Sequence, residues 1–143
     1  MDRMQPINIT SSTFTLTAEA HSGTVLTVNR AAGSTLTLPA AAGYGTVFEI
    51  FVGTTITSNN LIVQVANSSD IMSGTAINMQ DSGDTVIGFE TGATDDTITM
   101  NGTTKGGVKG DRIVLKDVAA NIWSVSVIGS ATGTEVTPFS SAV

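Results

Sequence analysis

Hydrophobic and polar residues alternate along most of this chain with a period of two, and helical spacing is nowhere sustained. Alternating segments occur at Phe14 to Thr17, Val25 to Val28, Thr35 to Leu38, Val47 to Val52, Leu61 to Ala66, Thr85 to Phe89, Thr97 to Met100, Arg112 to Lys116 and Ile122 to Ile128. They are separated by turn-forming clusters such as His21-Ser22-Gly23, Ala32-Gly33-Ser34, Gly43-Tyr44-Gly45, Ser58-Asn59-Asn60 and Asp81-Ser82-Gly83-Asp84. The short intervals suit hairpins and leave too little room for crossover helices. The pattern therefore predicts an all-β fold: an antiparallel β-sandwich or barrel-like domain of about nine or ten short strands.

The two-residue period also assigns faces. On Val47 to Val52, Phe48, Ile50 and Val52 form a clean core face, while Val47, Glu49 and Phe51 form a mixed one. On the last strand Trp123, Val125 and Val127 share the core face, opposite Ile122, Ser124, Ser126 and Ile128. Phe51, Ile122 and Ile128 are the candidate subunit-interface residues, because each is a large apolar side chain on a mixed face that also carries Glu49 or Ser124 and Ser126.

The ends lack this regularity. Residues 1–12 carry Pro6 and no tight hairpin partner, and residues 131–143 include the unpaired run from Thr137 to Val143. Both are expected to be extended, an N-terminal arm and a C-terminal tail flanking a β domain at 13–130. The arm residues Met1, Asp2, Arg3, Met4, Gln5, Pro6, Ile7 and Asn8 are the candidates for contacting a partner surface, since an extended segment can add as a strand to a sheet edge.

Composition narrows the function. In 143 residues only 13% are charged and cysteine is absent, so the fold rests on packing and hydrogen bonds without disulfides or thiolate chemistry. One core is feasible at this length. The low charge leaves apolar area for subunits or partners to cover. The net charge of −6 opposes binding to nucleic acid, which depends on basic side chains. No apolar run reaches the ~18 residues needed to span a bilayer. The opening MDRMQPINIT has no apolar stretch of the signal-peptide kind, so no export is expected.

Candidate chemistry is sparse. His21 is the one histidine and lies in a turn signal, with no Gly-x-Ser-x-Gly elbow elsewhere to complete a triad. Asp81, Asp84, Glu90, Asp95 and Asp96 are concentrated locally, but not at the spacing of an Asp-x-Asp-x-Asp-Gly calcium loop, and solvated turns explain them better. The glycine-rich stretch from Gly102 to Gly110 contains lysines but not the phosphate-loop spacing, and an alternating strand follows where a helix would be required. An enzyme, a cofactor and a small-molecule substrate are not expected. A charge asymmetry stands out instead: from Ala31 through Thr104 there are seven acids and no Lys or Arg, after which Lys105, Lys109, Arg112 and Lys116 follow closely. Such polarity can orient docking between subunits or onto a partner.

The succession Leu16-Thr17-Ala18, Ser22 to Asn29, Gly33 to Ala40 and Val47 to Gly53, closed by Gly110 to Asp117 and Asn121 to Gly129, resembles small tailed-bacteriophage virion proteins, in particular capsid decoration or cement proteins. The resemblance covers roughly residues 14–130. It implies a β-tulip-like homotrimer on the outer surface of the virion head, made in the host cytoplasm and clamping neighbouring major capsid subunits at local threefold positions. Fibre and tail proteins share the same idiom, so a host-attachment or glycan-binding module is the alternative. Such a module would present aromatic platforms in loops, and Tyr44 is the one aromatic residue plainly in a turn.

Overall fold

The computed structural model describes residues 5–81 and 83–143; Met1, Asp2, Arg3 and Met4 of the expected arm lie outside the described residues. The described residues are nearly all β, with one four-residue helix among them. The elements are β1 (Ile7–Ile9), β2 (Thr13–Thr15), α1 (Ala18–His21), β3 (Val25–Val28), β4 (Ser34–Thr37), β5 (Val47–Val52), β6 (Leu61–Gln64), β7 (Ile71–Gln80), β8 (Val86–Glu90), β9 (Thr97–Met100), β10 (Arg112–Ala119), β11 (Ile122–Ala131) and β12 (Phe139–Ser140). They form a seven-stranded sheet, ordered β1-β3-β5-β10-β11-β7-β8, and a five-stranded sheet, ordered β12-β9-β6-β4-β2.

Within each sheet the pairing is mixed, where the spacing had suggested antiparallel hairpins. The first six strands alternate between the two sheets, so that β1, β3 and β5 pair in parallel in one and β2, β4 and β6 pair in parallel in the other. A parallel pair needs a long connection. Here that connection is a strand of the opposite sheet, so no helix is required. From β9 onward the added strands run antiparallel to their neighbours, except that β11 pairs in parallel with β7.

Register joins the strands into continuous rows. One inward row crosses the whole seven-stranded sheet as Ile7, Leu26, Ile50, Ile113, Val127, Ala76 and Phe89. Another crosses the five-stranded sheet as Phe14, Leu36, Val63, Ile98 and Phe139. Their residues pack into a single core cluster. Trp123 is fully buried there, its ring 5.7 Å from that of Phe48. Removing such apolar surface from water is the main stabilising term, at roughly 25 cal/mol per Å².

Ile7–Ile9 and the C-terminal residues are tied into the sheets more closely than their sequences suggest. Ile7 and Asn8, expected in an unpaired arm, belong to β1 and pair with Leu26 and Thr27. Asn8 Oδ1 also accepts a 2.8 Å hydrogen bond from Asn29 Nδ2. At the other end Phe139 is buried and pairs with Ile98. Buried Asp96 then accepts hydrogen bonds from the N–H groups of Ala142 and Val143, fastening the tail across β9. Two- and three-residue strands carry no periodicity for a sequence pattern to register.

Candidate interaction surface

The outward side of the seven-stranded sheet carries Ile77, Met79, Val86 and Ile128, all exposed large apolar side chains. Its middle row reads Asn8, Thr27, Phe51, Arg112, Ile128, Ile77 and Gly88 from edge to edge. Phe51 is half-buried, whereas Ile128 is 48% and Ile77 45% exposed. Beside Ile77, cross-strand partners Met79 and Val86 are 39% and 54% exposed. A shallow depression of about 140 Å³ lies among Glu49, Arg112, Val114, Ser126 and Ile128, all on this face.

Two of the three interface candidates thus share a row: Phe51 and Ile128 stand on either side of Arg112. Ile122 does not join them. It begins β11, pairs with Ile71 and Ala119, and is half-buried at the far end of the strand. Of the arm candidates, Gln5 and Pro6 are exposed and lead into β1, which occupies one edge of this sheet.

Ile77, Met79 and Val86 were not legible as site residues, because β7 runs against the usual pattern. Its inward positions are Met72, Gly74, Ala76 and Asn78, and Asn78 is completely buried while Ile77 and Met79 face out. Both polar atoms of the Asn78 side chain lack a hydrogen-bond partner among the described residues. A strand that turns its isoleucine and methionine outward and an asparagine inward reads as a poor strand by pattern. On the folded sheet, the same inversion is what creates the apolar face.

A second feature lies at the end of the sheet where β5 begins. The loop Ala42-Gly43-Tyr44-Gly45 wraps around the carboxylate of Asp117. Ala42 N–H donates to both carboxylate oxygens at 3.1 and 3.2 Å, Gly43 N–H to Oδ1 at 2.6 Å and Tyr44 N–H to Oδ2 at 3.1 Å. Gly45 N–H donates to the Asp117 carbonyl at 2.9 Å. Gly43 and Gly45 adopt φ of 79° and 74°, the left-handed region in which a side chain is strained, and this lets the chain close so tightly. Burial pushes the Asp117 carboxyl up, but the donors at Gly43, Tyr44 and Ala42 outweigh it and hold the group below its ordinary value of 3.8. The result is a fixed loop with Tyr44 87% exposed at its tip.

The positions considered for chemistry have structural partners. His21 ends α1, accepts a 2.9 Å hydrogen bond at Nδ1 from Thr17 N–H, and sets its ring edge-on to Phe14 at 5.1 Å. In the glycine-rich loop, Gly107 and Val108 donate their N–H groups to Asp111 Oδ2, while Thr103 and Lys105 donate theirs to Asn101 Oδ1. These are the backbone donors that a phosphate cradle would need to keep free. Asp95 Oδ2 accepts from Gly92 N–H at 2.7 Å and caps its own turn. Among the described residues no group of three or more His, Asp or Glu side chains is gathered as a metal site would require.

No family model matches this chain, and neither does any curated protein or any solved structure.

Proposed function

We propose that the chain is a structural virion protein that decorates and stabilises the outside of a bacteriophage capsid, binding major capsid subunits as a homotrimer. The observation that carries this reading is the inverted strand β7, which sets Ile77 and Met79 beside Ile128 and Val86 on one outward face. Contiguous exposed apolar area of this kind marks a protein contact. It sits on a body of two sheets around one core, with β1 and β12 paired into them. The low charge fraction and the sequence resemblance support the same reading.

The test is co-sedimentation with shells stripped of their decoration. Binding at saturable stoichiometry with raised shell stability is expected, and failure to bind intact shells overturns the proposal. A second reading, a fibre or glycan-binding module, is favoured by the exposure of Tyr44 in its fixed loop, since aromatic faces in loops suit sugar rings. Binding of the isolated protein to host cells, without binding to shells, selects it.

A further inference from the structure

We infer that strand β8 pairs with β8 of a second copy across a two-fold axis at Gly88, joining the two seven-stranded sheets edge to edge. The pairing goes beyond the proposed function and does not rest on it: it uses a strand edge, whereas the shell contact proposed above uses the outward face.

Strand β8 is the longest free edge of the fold. The seven-stranded sheet ends in β8 and β1, and the five-stranded sheet in β12 and β2. β8 has five residues, β1 and β2 three each and β12 two. Edge strands are ordinarily guarded against pairing by Lys, Pro, a bulge or brevity. Val86-Ile87-Gly88-Phe89-Glu90 has neither Lys nor Pro, and its ladder with β7 runs without a register shift from the Glu90 pair to the Val86 pair.

Its backbone groups are phased for a partner. Gln80 N–H donates to Thr85 O at 3.0 Å, and Thr91 N–H donates to Gly74 O at 3.1 Å. Hydrogen-bonded pairs alternate along an antiparallel ladder, so between these two the bonded pairs are Asn78 with Ile87 and Ala76 with Phe89. The N–H and C=O groups of Val86, Gly88 and Glu90 therefore point away from β7, out of the sheet edge. None of them bonds to any other backbone group among the described residues.

This edge is complementary to itself. With Gly88 facing Gly88 of the second copy in antiparallel register, Val86 faces Glu90 at each end, and all three edge-facing residues fall in bonded pairs. Each bonded pair exchanges both its hydrogen bonds, so every outward N–H meets an outward C=O. Between them Ile87 faces Phe89 of the copy in the closer, non-bonded positions. Both side chains lie on the core side of the sheet, since Phe89 pairs with Ala76 and Ile87 with buried Asn78, and both are half-buried at its margin. The one charge of the strand, Glu90, meets Val86 and not a second carboxylate. At the axis a Cβ built on Gly88 would meet only Ala76 O, at 3.8 Å, so no side chain obstructs the approach. A foreign extended segment would satisfy the same backbone groups; the copy also supplies, in matching order, the apolar partners that Ile87 and Phe89 lack. Such an isologous contact closes at two copies.

Light scattering on the purified full chain, from micromolar to near-millimolar concentration, is expected to show a dimer if this contact acts by itself and a hexamer if the proposed threefold assembly forms as well. A monomer or a trimer overturns the pairing. Gly88→Pro removes an N–H that the β7 ladder does not use, so it should weaken association by roughly tenfold or more with unchanged circular dichroism. Val86→Glu tests the register without touching the ladder: it sets carboxylates opposite one another at both ends and should dissociate the pair, and adding Glu90→Lys to that chain should restore it. An assembly that keeps its mass in both Gly88→Pro and Val86→Glu overturns the contact. The chain has no cysteine, so Gly88→Cys reads the symmetry directly. The Cα atoms of a bonded antiparallel pair lie about 5.5 Å apart, within disulfide reach. Oxidation should therefore link two copies of Gly88→Cys but not two copies of Ile128→Cys, which alters an exposed position on the same face away from the edge. No cross-link at position 88, or equal cross-linking at both positions, overturns the two-fold axis.

Discussion

The Tyr44 backbone N–H donates to the carboxylate of Asp117, 73 positions further along the chain, at 3.1 Å. The most exposed aromatic side chain is therefore held by one of the most buried carboxylates. Replacing Asp117 by Asn puts an NH₂ group where backbone donors now point. A loss of about 1.5–3 kcal/mol is expected in urea unfolding, the range for hydrogen bonds to charged groups. The pH dependence has a definite sign. A carboxyl whose folded pKa is depressed contributes stability that is present above its unfolded value of 3.8 and is lost as pH falls through the folded value. The margin of wild type over Asp117→Asn should shrink only below pH 3.8; a margin already gone at pH 5 would contradict this role.

Asp111 behaves in the opposite sense. Burial raises its pKa above 3.8 even though Gly107, Val108 and Ser130 all donate N–H groups to it. A raised carboxyl contributes stability that is complete below the unfolded value and is lost as pH rises through the folded one. The wild type should therefore lose ground to Asp111→Asn as pH is raised from 3.8, as read by urea midpoints at pH 4, 5, 6 and 7. A difference that stays constant across that series would show that Asp111 titrates alike in both states.

How much of this was legible in advance depended on whether local pattern and tertiary environment agree. Val25–Val28, Val47–Val52 and Thr97–Met100 are strands with the bounds their alternation predicts. Trp123 was legible as core because it opens a regular alternation in which Val125 and Val127 share its face. Strand β7 was missed because Ile77 and Met79 face outward while Gly74 and Asn78 take inward positions. The parallel winding was missed because a short interval between strands looks the same whether the chain turns back beside itself or crosses to the other sheet. Phe51 and Ile128 could be read from their own strands, but Ile77, which completes their row, could not. The exposure of Tyr44 was legible from its flanking glycines; the partner that fixes it was not, since nothing local links Gly43 to Asp117.

His21 provides a control for the absence of chemistry in the proposed function. Its imidazole accepts from Thr17 N–H and packs on Phe14, both local to α1. Changing it to Ala removes one partly exposed hydrogen bond and one aromatic contact, so a loss of about 1 kcal/mol in stability is expected. Oligomer mass and shell binding should be unchanged. A large loss of either with the fold intact would show that His21 has a role beyond the helix end.

The two halves of the expected N-terminal arm should separate by truncation. Gln5 and Pro6 are exposed, whereas Ile7 is half-buried against the core and Asn8 bonds Asn29. Deleting residues 1–5 leaves β1 whole and should leave the urea midpoint within error of wild type. Deleting residues 1–8 removes two of its three residues, the Ile7 packing and the Asn8 side-chain hydrogen bond. A partly buried isoleucine and a hydrogen bond are together worth about 2–3 kcal/mol. A loss of that size is expected, with the β signature retained because β3 still pairs with β5. If the shorter deletion abolishes co-sedimentation with shells at unchanged stability, the shell contact lies in residues 1–5. If it binds shells at full occupancy, the contact must be sought on the outward face, first by Ile77→Ser and Ile128→Ser, which alter exposed positions without touching the core.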